Sequence, residues 1–268
     1  MEGTRVIVIG SGFSGLSAAT SLADKGYQVT VLEKNSSPGG RARSYNAQGF
    51  TFDMGPSWYW MPDVFESYFK RFGKTTSDYY DLVRLDPSYA VIFGEHDFVD
   101  IPASMDELRA LFESIETGSA AQLDKFLEQA AYKYEVGINQ LVYKPGRSVG
   151  EFMNPRLLLD VLRMDVFQSF YKHIRRFFKH EKLIKLMEFP ILFLGALPQN
   201  TPALYSLMNY ADISLGTWYP MGGMYKIVEG MVKLAMEKGV TFLYDQDVQR
   251  LDVQAGKVTR VVTASSVF

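Results

Sequence analysis

The chain has 268 residues, of which 47% are hydrophobic and 22% are charged, and this composition excludes a disordered or collagen-like chain. Its 28 basic and 30 acidic residues give a net charge of −2, so no overall field favours nucleic acid as a partner. The absence of cysteine excludes disulfides, thiolate nucleophiles and cysteine-ligated metals, so redox chemistry requires a bound cofactor.

The N-terminal residues predict the opening of a parallel α/β sheet. An unbroken β-branched run at Arg5–Ile9 predicts a strand, residues 14–25 carry apolar side chains at helical spacing, and residues 28–33 predict a second strand. A strand, a turn, a helix and a strand in about 30 residues imply a right-handed crossover between parallel strands. Because the first strand begins almost at once, we expect no secretory signal peptide.

The section after these strands predicts a mixed α+β structure. Glycine, proline and aspartate interrupt short apolar runs, which predict strands at 89–93 and 98–101 and a helix at 63–72. Ser104 and Ser119 each precede an acidic or amide side chain by three residues, so both predict a capping box at the start of a helix.

Charge is segregated in the second half of the chain. Residues 144–190 predict helices and carry ten basic side chains against five acidic ones. A helix is predicted at 202–212, and a further helix ends at Lys238. Three strands are then predicted within 240–263.

The order of these elements indicates one domain inserted into another. We expect a dinucleotide-binding domain at residues 1–60 and 221–268, interrupted by a largely helical substrate domain at residues 61–220. Because the sequence ends on two fresh strands with nothing to cover them, we expect a C-terminal portion of the first domain to be absent.

A glycine-rich turn connects the first predicted strand and helix. Its glycines fit the G-x-G-x-x-G spacing, in which the first permits a tight turn, the second lets a pyrophosphate approach the helix, and the third lets helix and strand pack. Glu33 closes the next strand and is placed to accept hydrogen bonds from ribose hydroxyls, which disfavours a 2′-phosphate. A turn without a ligand is the alternative. The predicted contact residues are Gly10, Gly12, Phe13, Ser14, Gly15, Glu33 and Lys34.

A second glycine pair follows at Gly39 and Gly40. Such a pair can bring main chain against a ligand, and Arg41 can then form charge-assisted hydrogen bonds with a phosphate. Alone, the pattern is typical of an ordinary turn followed by a solvated arginine. Close behind Glu33, it predicts a second contact with the same dinucleotide.

Several motifs in this order resemble the N-terminal half of the FAD-dependent amine-oxidase and carotenoid-desaturase superfamily. They are residues 6–15 with Glu33, residues 38–41, residues 50–66 and residues 217–234. Within the superfamily, the chain is most similar to the bacterial-type phytoene desaturases, because residues 50–66 read FTFDMGPSWYWMPDVFE and residues 217–234 contain an aromatic-Pro-x-Gly-Gly turn before a helix. The resemblance covers essentially the whole chain, although family members are considerably longer.

The resemblance implies a Rossmann-like FAD-binding domain of the glutathione-reductase-2 type, with FAD bound in extended form. It places Gly55, Pro56 and Ser57 near the isoalloxazine and the main chain near Val248 at the adenine. The implied substrate is a long apolar polyene such as phytoene, from which hydride passes to the flavin as double bonds are introduced.

No pattern identifies a general base. Arg156 lies where related desaturases carry an arginine near the flavin, and a solvated helix arginine is the alternative. Asp53 has two equal interpretations, orientation of the flavin loop and turn chemistry before Gly-Pro. His173 and His180 are seven residues apart on a predicted basic helix without further ligands, so we expect surface positions and no metal site.

Two apolar segments have interpretations that stay open. Residues 172–197 mix basic and apolar side chains, which is typical of a helix on an anionic membrane surface and equally of a solvated face followed by a core helix. Trp58, Tyr59 and Trp60 are consistent with a hydrophobic entrance or with core positions. We expect a cytoplasmic protein, peripheral on the inner face of the membrane.

Three other functions compete with carotenoid desaturation. A related flavin enzyme would oxidise an amine or a porphyrinogen, and a non-enzymatic carrier of prenylated proteins would share the fold without the flavin. Retention of the glycines, Glu33 and Arg41 disfavours the carrier. A nicotinamide dehydrogenase is disfavoured because the chain leaves the regular strand–helix alternation after Glu33.

Overall fold

The computed structural model of the protein describes residues 3–144, 147–148 and 165–268. Its strands are β1 (Arg5–Ile9), β2 (Gln28–Leu32), β3 (Ser44–Ala47), β4 (Phe50–Asp53), β5 (Leu82–Arg84), β6 (Tyr89–Gly94), β7 (Asp97–Ile101), β8 (Trp218–Pro220), β9 (Thr241–Leu243), β10 (Val248–Gln254) and β11 (Lys257–Thr263). Its longer helices are α1 (Phe13–Asp24), α2 (Pro62–Lys70), α3 (Met105–Ile115), α4 (Ser119–Val136), α5 (Phe170–Ile174), α6 (Glu181–Glu188) and α7 (Tyr225–Glu237). This element order confirms the predicted α/β class.

Three parallel strands form the sheet that carries the glycine-rich turn. β1 pairs with β2, with Val8 opposite Val31, and β2 pairs with β9 on its other side. Ala19 of α1 packs in one core with Val31 of β2 and Ala235 of α7. This pairing confirms the predicted strand–turn–helix–strand unit. Burial of one face of α1 against the sheet stabilises the unit.

The chain divides into two compact units. One contains Met1–Val83 and Tyr219–Phe268, and the other contains Arg84–Trp218. The first unit carries the parallel sheet and the hairpins β3–β4 and β10–β11, and the second carries the hairpin β6–β7 and helices α3 to α6. The two units are defined by how compactly they fold, and they carry no information about ligands. The predicted division into a dinucleotide-binding and a substrate domain therefore stays a prediction.

The two predicted capping boxes have different outcomes. Ser104 caps α3 as predicted, and its hydroxyl accepts a hydrogen bond from the Glu107 N–H at 3.4 Å. The prediction for Ser119 is wrong, because α4 begins at Ser119 itself, after Gly118 with a φ of +83°. The Glu113 carboxylate accepts hydrogen bonds from two backbone N–H groups at this helix start, so it replaces the predicted serine cap.

The helix predicted at 202–212 is present at residues 203–214, but it is not a uniform α-helix. Three short helical turns occupy this stretch, and the last of them, Tyr210–Ser214, is a π-helical turn. The Ser206 hydroxyl donates to the Ala203 carbonyl at 2.9 Å. Such a side-chain bond competes with the α-helical ladder, and helical periodicity alone does not predict the change from 3₁₀ to α and π geometry.

Candidate functional site

The glycine-rich turn connects β1 and α1. Gly10 has a φ of +90°, a conformation that favours glycine, and its N–H donates to the Leu32 carbonyl at 2.8 Å. α1 begins directly after Gly12, and no side chain caps its N-terminus. Because the first N–H groups of an α-helix have no partner within the helix, this end presents backbone donors and partial positive charge to an anion.

The second and third glycines of the turn have different surroundings. A Cβ atom at Gly15 would lie 2.0 Å from the Gly10 carbonyl oxygen, so only glycine allows this packing of α1 against the turn. A Cβ atom at Gly12 would have no protein atom within 4 Å. The packing of the protein itself does not require glycine at position 12, and the open space there fits a pyrophosphate.

Glu33 is buried, with 4% of its surface exposed, and it bonds the turn to β2. Its Oε2 accepts hydrogen bonds from the Ser11 N–H at 2.8 Å and the Ser11 hydroxyl at 2.6 Å. Its Oε1 accepts from the backbone and side-chain N–H groups of Asn35 at 3.0 and 2.5 Å. Burial would raise the pKa of Glu33, but these hydrogen bonds lower it below its ordinary value. Glu33 is therefore ionised and orders the turn, while its contact with a ribose stays a prediction.

The second glycine segment lies against the first. The Gly39 N–H donates to the Ser11 carbonyl at 2.9 Å, and a Cβ atom at Gly40 would lie 3.3 Å from the Gly12 Cα. Arg41 follows on the surface and forms no hydrogen bond or ion pair with the described residues, so its guanidinium is available to a phosphate. We name the combined feature the glycine cradle, and it consists of Gly10, Gly12, Gly15, Gly39 and Gly40.

The loop after β4 contacts the cradle's second segment. A Cβ atom at Gly55 would lie 2.2 Å from the Arg41 carbonyl oxygen, so glycine is required for this approach. Pro56 and Ser57 follow and are exposed. The structure thus brings together three segments that the sequence separates, although contact of residues 55–57 with an isoalloxazine stays a prediction.

The first turn of α1 presents two different side chains. The Phe13 ring is half-buried and lies 5.9 Å from the Phe65 ring in an edge-on arrangement, so it packs within the protein. Ser14 is exposed beside it.

The catalytic candidate Arg156 lies outside the described residues, so its role stays a prediction.

The segment before β10 bonds to the end of β2. The Gln246 N–H donates to the Glu33 carbonyl at 2.8 Å, and Val248 begins β10 two residues later. This hydrogen bond brings the chain just before Val248, the predicted adenine contact, close to Glu33. Lys34 is exposed next to Glu33. Contacts of Val248 and Lys34 with a dinucleotide stay predictions.

Asp53 caps a helix that is distant in sequence. Its two carboxylate oxygens accept hydrogen bonds from the N–H groups of Met224 at 2.9 Å and Tyr225 at 3.1 Å, at the start of α7. Two interpretations of Asp53 were open, orientation of the flavin loop and local turn chemistry. The hydrogen bonds give Asp53 a stabilising role in the fold, as the cap of a distant helix and not as part of a local turn. The sequence signal for this long-range cap was a glycine pair before α7, because such a pair offers no side chain to cap the helix.

The predicted surface position of His173 is wrong. Its ring is fully buried, and Nε2 lies 3.3 Å from Nζ of Lys133, which is 1% exposed. Lys133 Nζ lies 3.1 Å from an Asp165 carboxylate oxygen. Burial lowers the pKa of His173 and the adjacent Lys133 lowers it further, so His173 is neutral at pH 7. Within the described residues, no group of three or more potential metal ligands occurs.

Another buried carboxyl group belongs to Asp212, which lies in the π-helical turn Tyr210–Ser214. This turn is part of the second compact unit, Arg84–Trp218, which we call the helical unit. It is 2% exposed, and its oxygens accept hydrogen bonds from the Tyr89 hydroxyl at 2.5 Å and the Thr217 hydroxyl at 2.9 Å. Burial raises the pKa of Asp212 to about 6, although both hydrogen bonds oppose the increase. This group therefore titrates close to neutral pH.

We expect the Asp212→Asn variant to lose a pH dependence of stability. A carboxyl whose pKa is raised on folding stabilises the protein below its ordinary pKa, and this contribution disappears as pH rises through about 6. The free energy of unfolding should therefore fall by about 3 kcal/mol across this window in the wild type. Urea unfolding from pH 4 to pH 7 measures the difference, with the exposed Asp100→Asn as control. Parallel curves for wild type and Asp212→Asn would contradict the assignment.

The parallel sheet, the uncapped helix and the cradle define a dinucleotide-binding fold, and comparison with known proteins identifies its family. The family model of flavin-containing amine oxidoreductases matches residues 13–268. The chain therefore belongs to this family. Membership confirms the resemblance found in the sequence, and it confirms FAD as the cofactor type.

Curated relatives of the chain act on carotenoids. It is 41% identical over 256 residues to the carotenoid 3,4-desaturase of Haloarcula japonica, with 94% of this chain and 51% of the relative covered. It is 35% identical over 260 residues to the zeta-carotene-forming phytoene desaturase of Myxococcus xanthus, with 97% and 50% covered. The chain thus spans about half the length of the curated relatives it matches.

Solved structures share the fold. An oxidoreductase from Methanosarcina mazei matches with a TM-score of 0.64 at 17% identity, over 99% of this chain and 57% of that one. Putrescine oxidase bound to putrescine matches with a TM-score of 0.62 at 16% identity, over 98% and 55%. At such identities, the likeness shows the fold alone, and it confirms the predicted Rossmann-like fold class.

Proposed function

We propose that this chain is the FAD-binding and substrate-binding part of a carotenoid desaturase that introduces double bonds into a C40 polyene such as phytoene. The observation that carries the proposal is 41% identity to a carotenoid 3,4-desaturase across 94% of the chain. The open cradle at Gly12 supports it, because the fold retains space and backbone donors for a dinucleotide.

The chain's own residues bind and orient in this proposal. The backbone N–H groups after Gly12 hold the pyrophosphate, Arg41 adds a charge-assisted bond, and Glu33 holds the turn and faces the ribose. When bound, FAD would supply the oxidising power for the reaction, as an acceptor of hydride from an allylic carbon. Apolar walls exclude water from the reacting bond, so the substrate domain proposed at 61–220 needs few polar groups.

The test is anaerobic incubation of the purified chain with FAD and phytoene in liposomes. We expect loss of the oxidised flavin absorption together with growth of longer polyene bands. Bound flavin that is reduced by an amine or a porphyrinogen, and not by phytoene, would favour the other oxidases of the family. A chain that binds prenylated peptide and no flavin would favour the carrier.

We also propose peripheral membrane contact through residues 172–197 of the helical unit, on the inner face of the membrane. After α6, a short helical turn at Phe189–Leu194 leaves Leu192 and Phe193 exposed by 66% and 57%, and Leu197 is exposed by 65%. Exposed apolar side chains of this size are typical of an interaction surface. Within the described part of the chain, no helix is long and apolar enough to cross a membrane.

The basic side chains of this segment fall into two groups. Arg175 and Lys185 both pair with Glu188, at 2.7 and 3.2 Å, and Lys182 pairs with Asp97. Their charges are therefore largely neutralised within the protein. Those that form no ion pair with a described residue are Lys172, Arg176 and Lys179. The structure thus supports an apolar contact with a smaller electrostatic contribution than the sequence indicated.

We expect Leu192→Ser/Phe193→Ser to reduce binding to anionic liposomes more strongly than Lys179→Glu. Each large side chain that leaves water for the acyl region contributes about 1.5–3 kcal/mol, whereas one basic residue at the surface contributes about 1 kcal/mol. Flotation with vesicles that contain phosphatidylglycerol measures the bound fraction. Phe98→Ala, an exposed aromatic on β7, is the matched control. Equal flotation of wild type and the double variant would refute this docking surface.

A further inference from the structure

Two tryptophans of the first compact unit, which contains Met1–Val83 and Tyr219–Phe268, stack on each other. The rings of Trp58 and Trp60 are 5.7 Å apart and nearly parallel, with an angle of 9° between their planes. Trp58 is 40% exposed and Trp60 is half-buried. Tyr59 between them points the opposite way and is 1% exposed, with its hydroxyl 2.8 Å from that of Tyr80. The buried tyrosine therefore fixes the segment so that both indoles face the same side.

The backbone on both sides of this pair is constrained. Gly55 packs against the Arg41 carbonyl, and the Met54 N–H donates to the Arg43 carbonyl at 2.9 Å. After Trp60, the next residue has a φ of +59°, which is unusual for a side chain other than glycine, and α2 begins directly afterwards. The indole pair is thus held on a short extended segment that starts three residues beyond the contact with the cradle's second segment.

The stretch of sequence that leads up to the pair has little charge. Between Tyr45 and Trp60, the only charged residue is Asp53, and its two oxygens are bonded to the backbone of α7. On the β3–β4 hairpin, Tyr45 lies opposite Phe52, and both rings are more than half exposed. Exposed aromatic rings on a stretch without basic side chains fit a neutral apolar ligand better than an anionic membrane surface.

We propose that Trp58 and Trp60 bind the conjugated section of the polyene and hold it beside the flavin site. This inference rests on the proposed function and assigns substrate-positioning residues to it. Flat indole faces suit an extended polyene, because they offer a large apolar area with few rotatable bonds to order. Trp58 and Trp60 follow Gly55 by three and five residues, next to the loop that the sequence resemblance assigns to the isoalloxazine.

Tryptophan fluorescence tests the proposal without turnover. The chain has three tryptophans, and Trp218→Phe leaves the Trp58–Trp60 pair as the only indole emission. Titration of this variant with ζ-carotene in detergent micelles should quench the emission saturably, because the conjugated chain absorbs within the range of tryptophan emission. Phytoene should compete and raise the ζ-carotene concentration needed for half-maximal quenching, after correction for the excitation light that phytoene itself absorbs. Quenching that is linear and equal to that of free N-acetyltryptophanamide would overturn the proposal.

Kinetics separate binding from chemistry. Trp58→Leu/Trp60→Leu should raise the KM for phytoene by about tenfold while kcat and FAD binding change little, because the indoles contact the chain and not the flavin phosphates. Phe98→Ala again serves as control, and circular dichroism confirms that the variant is folded. An unchanged KM would overturn the role of the pair. So would a change from dimer to monomer in the double variant, because the surface would then bind a second copy.

The outcomes distinguish this inference from the proposed function. If the wild type binds FAD and converts phytoene but the tryptophan variant has a normal KM, only the positioning role fails. If the wild type binds ζ-carotene saturably through the pair but never oxidises a polyene, the surface is a polyene site and the proposed desaturase activity fails.

Discussion

Gly12→Val should abolish FAD binding and leave the fold intact. The backbone at Gly12 has a φ of −72° and a ψ of 176°, which any residue adopts, and a Cβ atom there meets no protein atom within 4 Å. The new side chain would therefore occupy the space that the pyrophosphate needs. We expect a loss of FAD affinity of at least about a hundredfold, equivalent to about 2.7 kcal/mol, by titration of flavin fluorescence.

Gly15→Ala is the matched variant, and it should differ from Gly12→Val in its effect on folding stability. Its Cβ would lie 2.0 Å from the Gly10 carbonyl oxygen, and a backbone atom cannot move aside without displacing the turn. We expect the free energy of unfolding to fall by about 3 kcal/mol, with FAD binding lost as a consequence. If Gly12→Val unfolded the protein and Gly15→Ala did not, the separation of ligand space from packing space in the cradle would be wrong.

The local chemistry of the cradle could be predicted because it depends on short sequence spacing. The strand at Arg5–Ile9, the three glycines and the acid at Glu33 lie within about 30 residues, and each follows from a turn, a helix start or a strand end. The partners of Glu33 could not be predicted in the same way. Ser11 occupies a variable position of the motif, and its side chain reaches the carboxylate only because β1 and β2 are neighbours in the sheet.

Long-range contacts account for the errors. His173 belongs to a segment rich in basic residues, and periodicity on such a segment favours a solvated face. In the structure, the same residue lies against Phe126 and Lys133, which both belong to a different helix, α4. The role of Asp53 also depends on a long-range contact, because it caps a helix that begins more than 170 residues later, at Tyr225. No local pattern contains such pairings, because they arise only when the elements pack.

We expect Glu33→Ala to destabilise the protein and to weaken FAD binding together. The substitution removes the acceptor of four hydrogen bonds from Ser11 and Asn35 in a buried place. A buried donor without an acceptor costs about 1–3 kcal/mol, so we expect a loss of about 3–5 kcal/mol when water replaces some of the acceptors. Chemical unfolding and FAD titration measure the two effects. Glu66→Ala is the matched control, because Glu66 also accepts bonds from a backbone N–H and a hydroxyl but is only partly buried.

The pH dependence of Glu33→Gln distinguishes an ionised carboxylate from a neutral hydrogen-bond acceptor. The pKa of Glu33 is lowered on folding from its ordinary value of 4.5, so its stabilisation is present above that value and is lost as pH falls through the lower pKa of the folded state. Wild type should therefore lose more stability than Glu33→Gln on acidification below about pH 5. Asp212 contributes with the opposite sign, because its pKa is raised, so only difference curves against each variant separate the two carboxyls. Parallel curves for the wild type and Glu33→Gln would show that folding does not change the pKa of Glu33, which would contradict this prediction.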